Sequence, residues 1–231
     1  MKLSVRIVMM LAVLVGSASA APLCTAIGST MAAYVGQGSV GCTIGDKLFS
    51  NFVYLSTALG TGISVPSSAV TLTPVNAGTF DPGPGIIFSS SGWTVPSVAE
   101  VNSFVDSSIA FDVTVLDGRP IIDDGYLSLT GFALSGTGIV DITETISPSG
   151  TQLQVDGSGP FVSHKFFTPV SQVHVLKDLL VTVPGGTSPG SASITSFEED
   201  FSQIPEPVGT ILVGSGLLAL GFLRRRATSR G

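Results

Sequence analysis

Apolar residues at every second position constrain this chain more than any other feature. In Ile109-Ala110-Phe111-Asp112-Val113-Thr114-Val115 the large apolar side chains share one parity, and Asp112 and Thr114 take the other. A strand with one buried face needs that period of two, whereas a helix needs about 3.6. Asp117-Gly118 then follows as a turn signal. From Val173 to Val183 the same rule puts Val173, Val175, Leu179, Val181 and Val183 on one face, opposite His174, Asp178 and Thr182. Lys177 lands on the apolar side and is the one misplaced charge.

Further strands are expected at Tyr126 to Leu134, Ile139 to Ile146, Gln152 to Val155, Phe161 to Phe167 and Ser191 to Phe197. Gly136-Thr137-Gly138, Pro148-Ser149-Gly150 and Asp156-Gly157-Ser158-Gly159 separate them as hairpin connections. Leu127 and Leu129 point one way while Phe132 and Leu134 sit on the other parity, so Gly131 marks an expected bulge. Closely spaced strands of this kind make a mainly β fold, an antiparallel sandwich or a flattened barrel. The N-terminal third is less regular. Lys47 to Leu55 suits a short helix or a strand, and Pro66 to Pro84 reads as loop with one strand at Val70 to Thr73. No internal repeat is convincing.

Both ends of the chain are apolar. Lys2 and Arg6 precede a run of nine apolar residues from Ile7 to Val15, and Ala18-Ser19-Ala20 follows as a cleavage site, so residues 1–20 read as a secretory signal peptide. Pro22-Leu23 before Cys24 argues against a lipoprotein. At the other end, Ile204-Pro205-Glu206-Pro207 is followed by sixteen uncharged residues, Val208 to Leu223, and then by Arg224-Arg225-Arg226. As a helix those sixteen residues reach roughly 24 Å against a hydrocarbon core of about 30 Å, a marginal span. The arginines act as a stop-transfer signal and stay cytoplasmic by the positive-inside rule. Residues 21–207 then lie outside the inner membrane. They carry four basic residues, Lys47, Arg119, Lys165 and Lys177, against all sixteen acidic ones, a net −12. Such a charge excludes nucleic acid and anionic lipid as partners of the body.

The order Pro205-Glu206-Pro207, apolar span, arginine cluster closely resembles the PEP-CTERM tail of exported bacterial proteins. That resemblance implies an exosortase as processing partner, the Sec translocon as the route out, exopolysaccharide as surroundings and a Gram-negative host. It covers only the tail, and an ordinary tail anchor is the alternative. The segment from Thr25 through Phe52 also resembles one found near the start of some PEP-CTERM proteins of unassigned function, and no activity comes with it.

Cys24 and Cys42 are the only cysteines, eighteen residues apart and both in the exported part, where one disulfide is expected. A metal thiol pair is the alternative, although the spacing is not C-x-x-C and both histidines lie far along the chain. A hydrolytic set could be drawn from His164 and His174 with Asp112, Asp123, Asp124 or a serine. However, no nucleophile elbow, H-E-x-x-H or phosphate-binding glycine loop fixes one, so surface histidines are expected. Asp123-Asp124-Gly125 reads as a β-turn in preference to a calcium loop. No metal or cofactor site is expected, and no enzyme. Trp93 with Tyr34, Tyr54 and Tyr126 could stack on sugars, but a sole tryptophan in a β domain more often anchors the core.

The expected organisation is a signal peptide (1–20), an exported β-rich domain (21–197) with 21–60 undetermined, and an acidic stalk with the Pro-Glu-Pro motif (198–207). A transmembrane sorting helix (208–223) and a cytoplasmic basic end (224–231) complete it. The expected function is a surface or extracellular-matrix protein, structural or adhesive and associated with exopolysaccharide. A glycan-binding module is the alternative, and a secreted hydrolase is a third.

Overall fold

A computed structural model describes residues 20–76, 83–98, 101–118 and 121–202. Among these residues the strands are β1 (Cys42–Ile44), β2 (Lys47–Leu59), β3 (Thr71–Val75), β4 (Gly85–Ser89), β5 (Thr94–Val98) and β6 (Ser103–Val115). They continue with β7 (Ile122–Ser135), β8 (Ile139–Ser147), β9 (Thr151–Asp156), β10 (Val162–Val170), β11 (Gln172–Val183) and β12 (Gly190–Asp200). A short helix, α1 (Met31–Gln37), precedes them. Thr30 caps it by accepting from Ala33 N at 3.3 Å.

The strands form two sheets. The first runs β1-β2-β6-β11-β8-β9, and the second runs β10-β7-β12-β4-β3 with β5 also on β12. All strand pairings are antiparallel, as a sandwich of hairpins and crossovers requires. β6 shows why alternation was diagnostic: its residues alternate buried and half-buried without a break from Ser103 to Val115. The inward faces meet in one core, where Phe49, Phe52 and Phe111 of the first sheet pack with Phe88, Phe197 and Phe201 of the second. Trp93 lies within it, fully buried, with its indole N–H on Ser107 Oγ at 3.2 Å.

Several sequence expectations hold in detail. The register of β12 against β7 shifts on either side of Ser196, which faces Gly131, so the bulge falls at the glycine. Cys24 and Cys42 form a disulfide with their Cα atoms 4.8 Å apart, joining the turn before α1 to β1.

Others are corrected. Of the two readings left open for Lys47 to Leu55, the strand holds and only its length changes: β2 runs on to Leu59, paired with β6. Asn51 takes a left-handed φ of 55° where β2 bulges, a conformation asparagine tolerates. The strand read at Val70 to Thr73 runs from Thr71 to Val75, and β4, β5 and α1 were not read at all. Asp123-Asp124-Gly125 is not a turn but part of β7, held on one side by β10. The acidic stalk fails at its first three residues. Glu198, Glu199 and Asp200 are buried in β12, which is paired on both sides by β7 and β4 and so has no freedom to become a tether. The remainder of the stalk, Pro205, Glu206, Pro207, the span at 208–223, Arg224, Arg225, Arg226 and residues 1–19 lie outside the described residues. Among the described residues no helix is long and apolar enough to cross a membrane.

Candidate functional site

The outer face of the second sheet collects the chemistry that the sequence scattered. β10 is an edge strand whose only ladder is with β7; β9 of the first sheet lies beside it without a ladder, Gln154 N donating to Ser163 Oγ at 3.3 Å. Antiparallel register sets His164 opposite Tyr126, Phe166 opposite Asp124 and Val162 opposite Ser128. Period-two alternation then puts Val162, His164 and Phe166 on one side. The rings form a short row: Tyr126 meets His164 at 5.9 Å between centroids, and His164 meets Phe166 at 4.6 Å. Tyr126 is buried, His164 is partly open, and Phe166 is 72% exposed.

Asp124, buried in β7, fixes this row. Its Oδ2 is 2.8 Å from His164 Nε2, and it accepts from the Ser202 backbone N–H at 2.8 Å and from Ser202 Oγ at 2.5 Å. The surface histidine expected from the sequence therefore has a buried carboxylate partner, a correction for His164. The set contains serine, histidine and aspartate but not in the order of an activated nucleophile. In that arrangement the acid orients the imidazole and the imidazole takes the serine proton. Here the Ser202 hydroxyl donates its hydrogen bond to the acid and not to the imidazole, and the carboxylate sits between the two groups.

Beside the row is an open groove of about 570 Å³ lined by Ser128, Thr130, Phe161, Val162, Ser196 and Glu198. Phe161 and Val162 are 46% and 42% exposed. Phe161 leans on Phe132 with ring centroids 5.3 Å apart, and Thr130 Oγ1 donates to Ser196 Oγ at 2.8 Å. The surface thus offers flat apolar rings next to hydroxyls.

The other candidates scatter. His174 lies on the outer face of the first sheet, as its parity required, with Nδ1 on its cross-strand partner Asp112 at 2.7 Å. Asn51 Nδ2 donates to the same Asp112 at 2.7 Å. Trp93 is fully buried, as the core reading expected, and Tyr34 and Tyr126 are buried with it, so the alternative aromatic platform is not assembled; Tyr54 instead bonds Ser107 at 3.2 Å. Among the described residues the exposed aromatics are Phe161 and Phe166, in a segment expected only to be a strand. No cluster of three or more metal-ligating side chains occurs among the described residues.

Asp106 and Asp178 meet on the outer face of the first sheet. Partial burial, the hydrogen bond shared with Asp178 and its charge raise the Asp106 carboxyl from 3.8 to about 6. A folded value above the unfolded one means that the folded state keeps a proton that the unfolded chain releases. This contribution to stability is complete below about pH 4 and is lost as the pH rises to about 6. Thermal unfolding of wild type and Asp106→Asn between pH 4 and pH 8 should show the variant gaining relative to wild type as the pH passes through that window. Parallel profiles would remove the assignment.

No protein-family model matches the chain, and no curated protein matches it. Among solved structures it is similar to TmCBM61 in complex with beta-1,4-galactotriose, at 8% identity over 66% of this chain and 88% of that one, with a TM-score of 0.28. It is also similar to a carbohydrate-binding module of the β-sandwich superfamily, at 12% identity over 71% of this chain and 58% of that one, TM-score 0.29. A third is the family 11 carbohydrate-binding module from Clostridium thermocellum, at 8% identity over 64% of this chain and 88% of that one, TM-score 0.19. At these values the likeness carries no argument about a ligand.

Proposed function

We propose that this chain is an exported surface or matrix protein, without catalytic activity, whose sandwich holds exopolysaccharide along the β10 edge. The observation that carries the reading is the exposed Phe166 ring at the end of the Tyr126–His164–Phe166 row, beside the hydroxyl-lined groove. A sugar ring has an apolar C–H face and a rim of hydroxyls, so it suits an aromatic surface flanked by donors and acceptors. The −12 charge of residues 21–207 favours neutral or cation-bridged polymers over bare polyanions. The Pro205-Glu206-Pro207 tail supports delivery to the cell surface through an exosortase, after Sec-dependent export and a passing stay in the inner membrane.

The test is retention of the surface-recovered protein on its own extracellular polymer, with intact mass recorded on the same material. Wild type should be retained and should lack Leu217 to Arg226. Phe166→Ala and Phe161→Ala should each lower retention several-fold, whereas His174→Ala, on the opposite sheet, should not. Equal retention of all four proteins would overturn the site, and a mass that includes the arginine cluster would overturn the processing.

A further inference from the structure

Lys177, the charge out of place in the β11 pattern, is fully buried between the sheets. Its Nζ meets two carboxylates. Glu144 comes from β8, where it is the direct cross-strand partner of Lys177, and Glu199 reaches across from β12 of the facing sheet at 2.6 Å. Both glutamates are 1% exposed. The flanking side chains are apolar, Val175 and Leu179 beside the lysine and Ile142 and Ile146 beside Glu144, with the Phe197 ring centroid 5.9 Å from Nζ, and the buried Asp200 adds a further negative charge nearby. As ions, the three groups make a poor set, with two anions to one cation. Glu144 Oε1 and Glu199 Oε1 have no hydrogen-bond partner among the described residues. Buried charges that are incompletely paired are unfavourable, and any route to neutral groups relieves them.

We propose that Lys177 and Glu144 become joined by an intramolecular amide between Nζ and Cδ, with Glu199 carrying the proton. Three features select this chemistry. A reacting amine must be unprotonated, and burial pulls the Lys177 ammonium toward its neutral form, against the opposing carboxylates. A proton carrier must hold a proton near neutrality, and burial pushes the Glu199 carboxyl up. The reactants must also be held together without water, which direct pairing of neighbouring strands in a closed core achieves.

The step balances without any co-reactant. The ammonium gives a proton to the Glu144 carboxylate, and the nitrogen lone pair then attacks Cδ. Glu199, starting as the acid, delivers its proton to the Glu144 hydroxyl oxygen and takes one back from Nζ. The C–O bond breaks and water leaves. Ammonium and carboxylate thereby become amide and water, with no change in net charge. The amide keeps one of the two Glu144 oxygens, and the Glu199 acid can donate to it. Glu144 is the acceptor because it is the residue in register with Lys177 on the adjacent strand. Glu199, in contact with the same Nζ from the other sheet, is placed to move the proton.

The test is a chymotryptic digest of the full chain recovered from cells, read by tandem mass spectrometry. The expected product is the Lys177 peptide joined to the Glu144 peptide, lighter by one water than the two together. Recovery of both peptides unlinked would overturn the proposal, as would a link from Lys177 to Glu199. Glu199→Gln should leave Lys177 and Glu144 unlinked in protein whose near-ultraviolet circular dichroism remains native. Linkage to the wild-type extent in that variant would overturn the role of Glu199. Lys177→Arg should abolish the linked product, and its persistence would show that another amine forms it.

Discussion

Trp93→Ala will lower the free energy of unfolding by about 3–5 kcal/mol, the range for deleting a large aromatic side chain from a close-packed core. Trp93 is fully buried, and its ring lies 5.7 Å from that of Phe197. Its N–H is committed to Ser107 Oγ, which in turn donates to Ser56 Oγ at 3.1 Å, while Ser56 Oγ accepts from Val65 N at 3.0 Å. Truncation therefore opens a cavity and also strips a donor from a buried hydroxyl chain, and these two effects add. Trp93→Phe keeps most of the volume and should lose only about 1–2 kcal/mol, chiefly the hydrogen bond. Urea unfolding at one pH measures both variants. A loss under about 1 kcal/mol for the alanine variant would mean that the core closes over the gap.

Replacing both cysteines, Cys24→Ala with Cys42→Ala, should lower stability by about 3 kcal/mol, the loop-closure value for a bridge of this separation. The effect belongs to the N-terminal segment. The bridge ties the turn at Cys24–Ala26 to β1, and Tyr34 of α1 packs against Phe52 at 5.1 Å while its hydroxyl reaches Cys24 O at 3.5 Å. Burial holds that phenol up at about 12, so it remains a donor throughout the accessible pH range. The variant should become insensitive to reductant in urea melts and should be cut first between residues 24 and 42 by a nonspecific protease. Wild-type resistance in that segment would show that Met31 and Tyr34 hold it without the bridge.

Alternation exposed β6 and β11 in the sequence because each has one face in the core and one in water. Lys177 broke the pattern, and no single strand could explain why, since its partners lie on β8 and β12. The same limit led Glu198-Glu199-Asp200 to be read as a solvated tether. A run of acids has that meaning only when nothing across the sheet receives it, and here Glu199 meets Lys177. Asp123-Asp124-Gly125 carried turn chemistry but folded as strand, because pairing with β10 and the bonds to His164 and Ser202 outweighed local preference. The row on β10 was illegible for another reason. Phe166 looked like one more strand residue, and only the register against β7 places it beside His164 and Tyr126. Lys47 to Leu55 had no decisive period, since the bulge around Asn51 shifts its parity midway.

Among the described residues β12 is the last strand, and it stands in the middle of the second sheet, between β7 and β4. A polypeptide that emerges from its N-terminus can assemble much of the first sheet earlier, but the second has a gap at its centre until residue 200 is available. β4 and β7 are then joined by a strand that closes contacts over more than a hundred residues of chain, from Glu198 back to Ile87. Long-range closures of this kind are slow. The incomplete domain therefore stays open for nearly the whole length of its synthesis, and it gains its final shape only once residues 190–200 have been made.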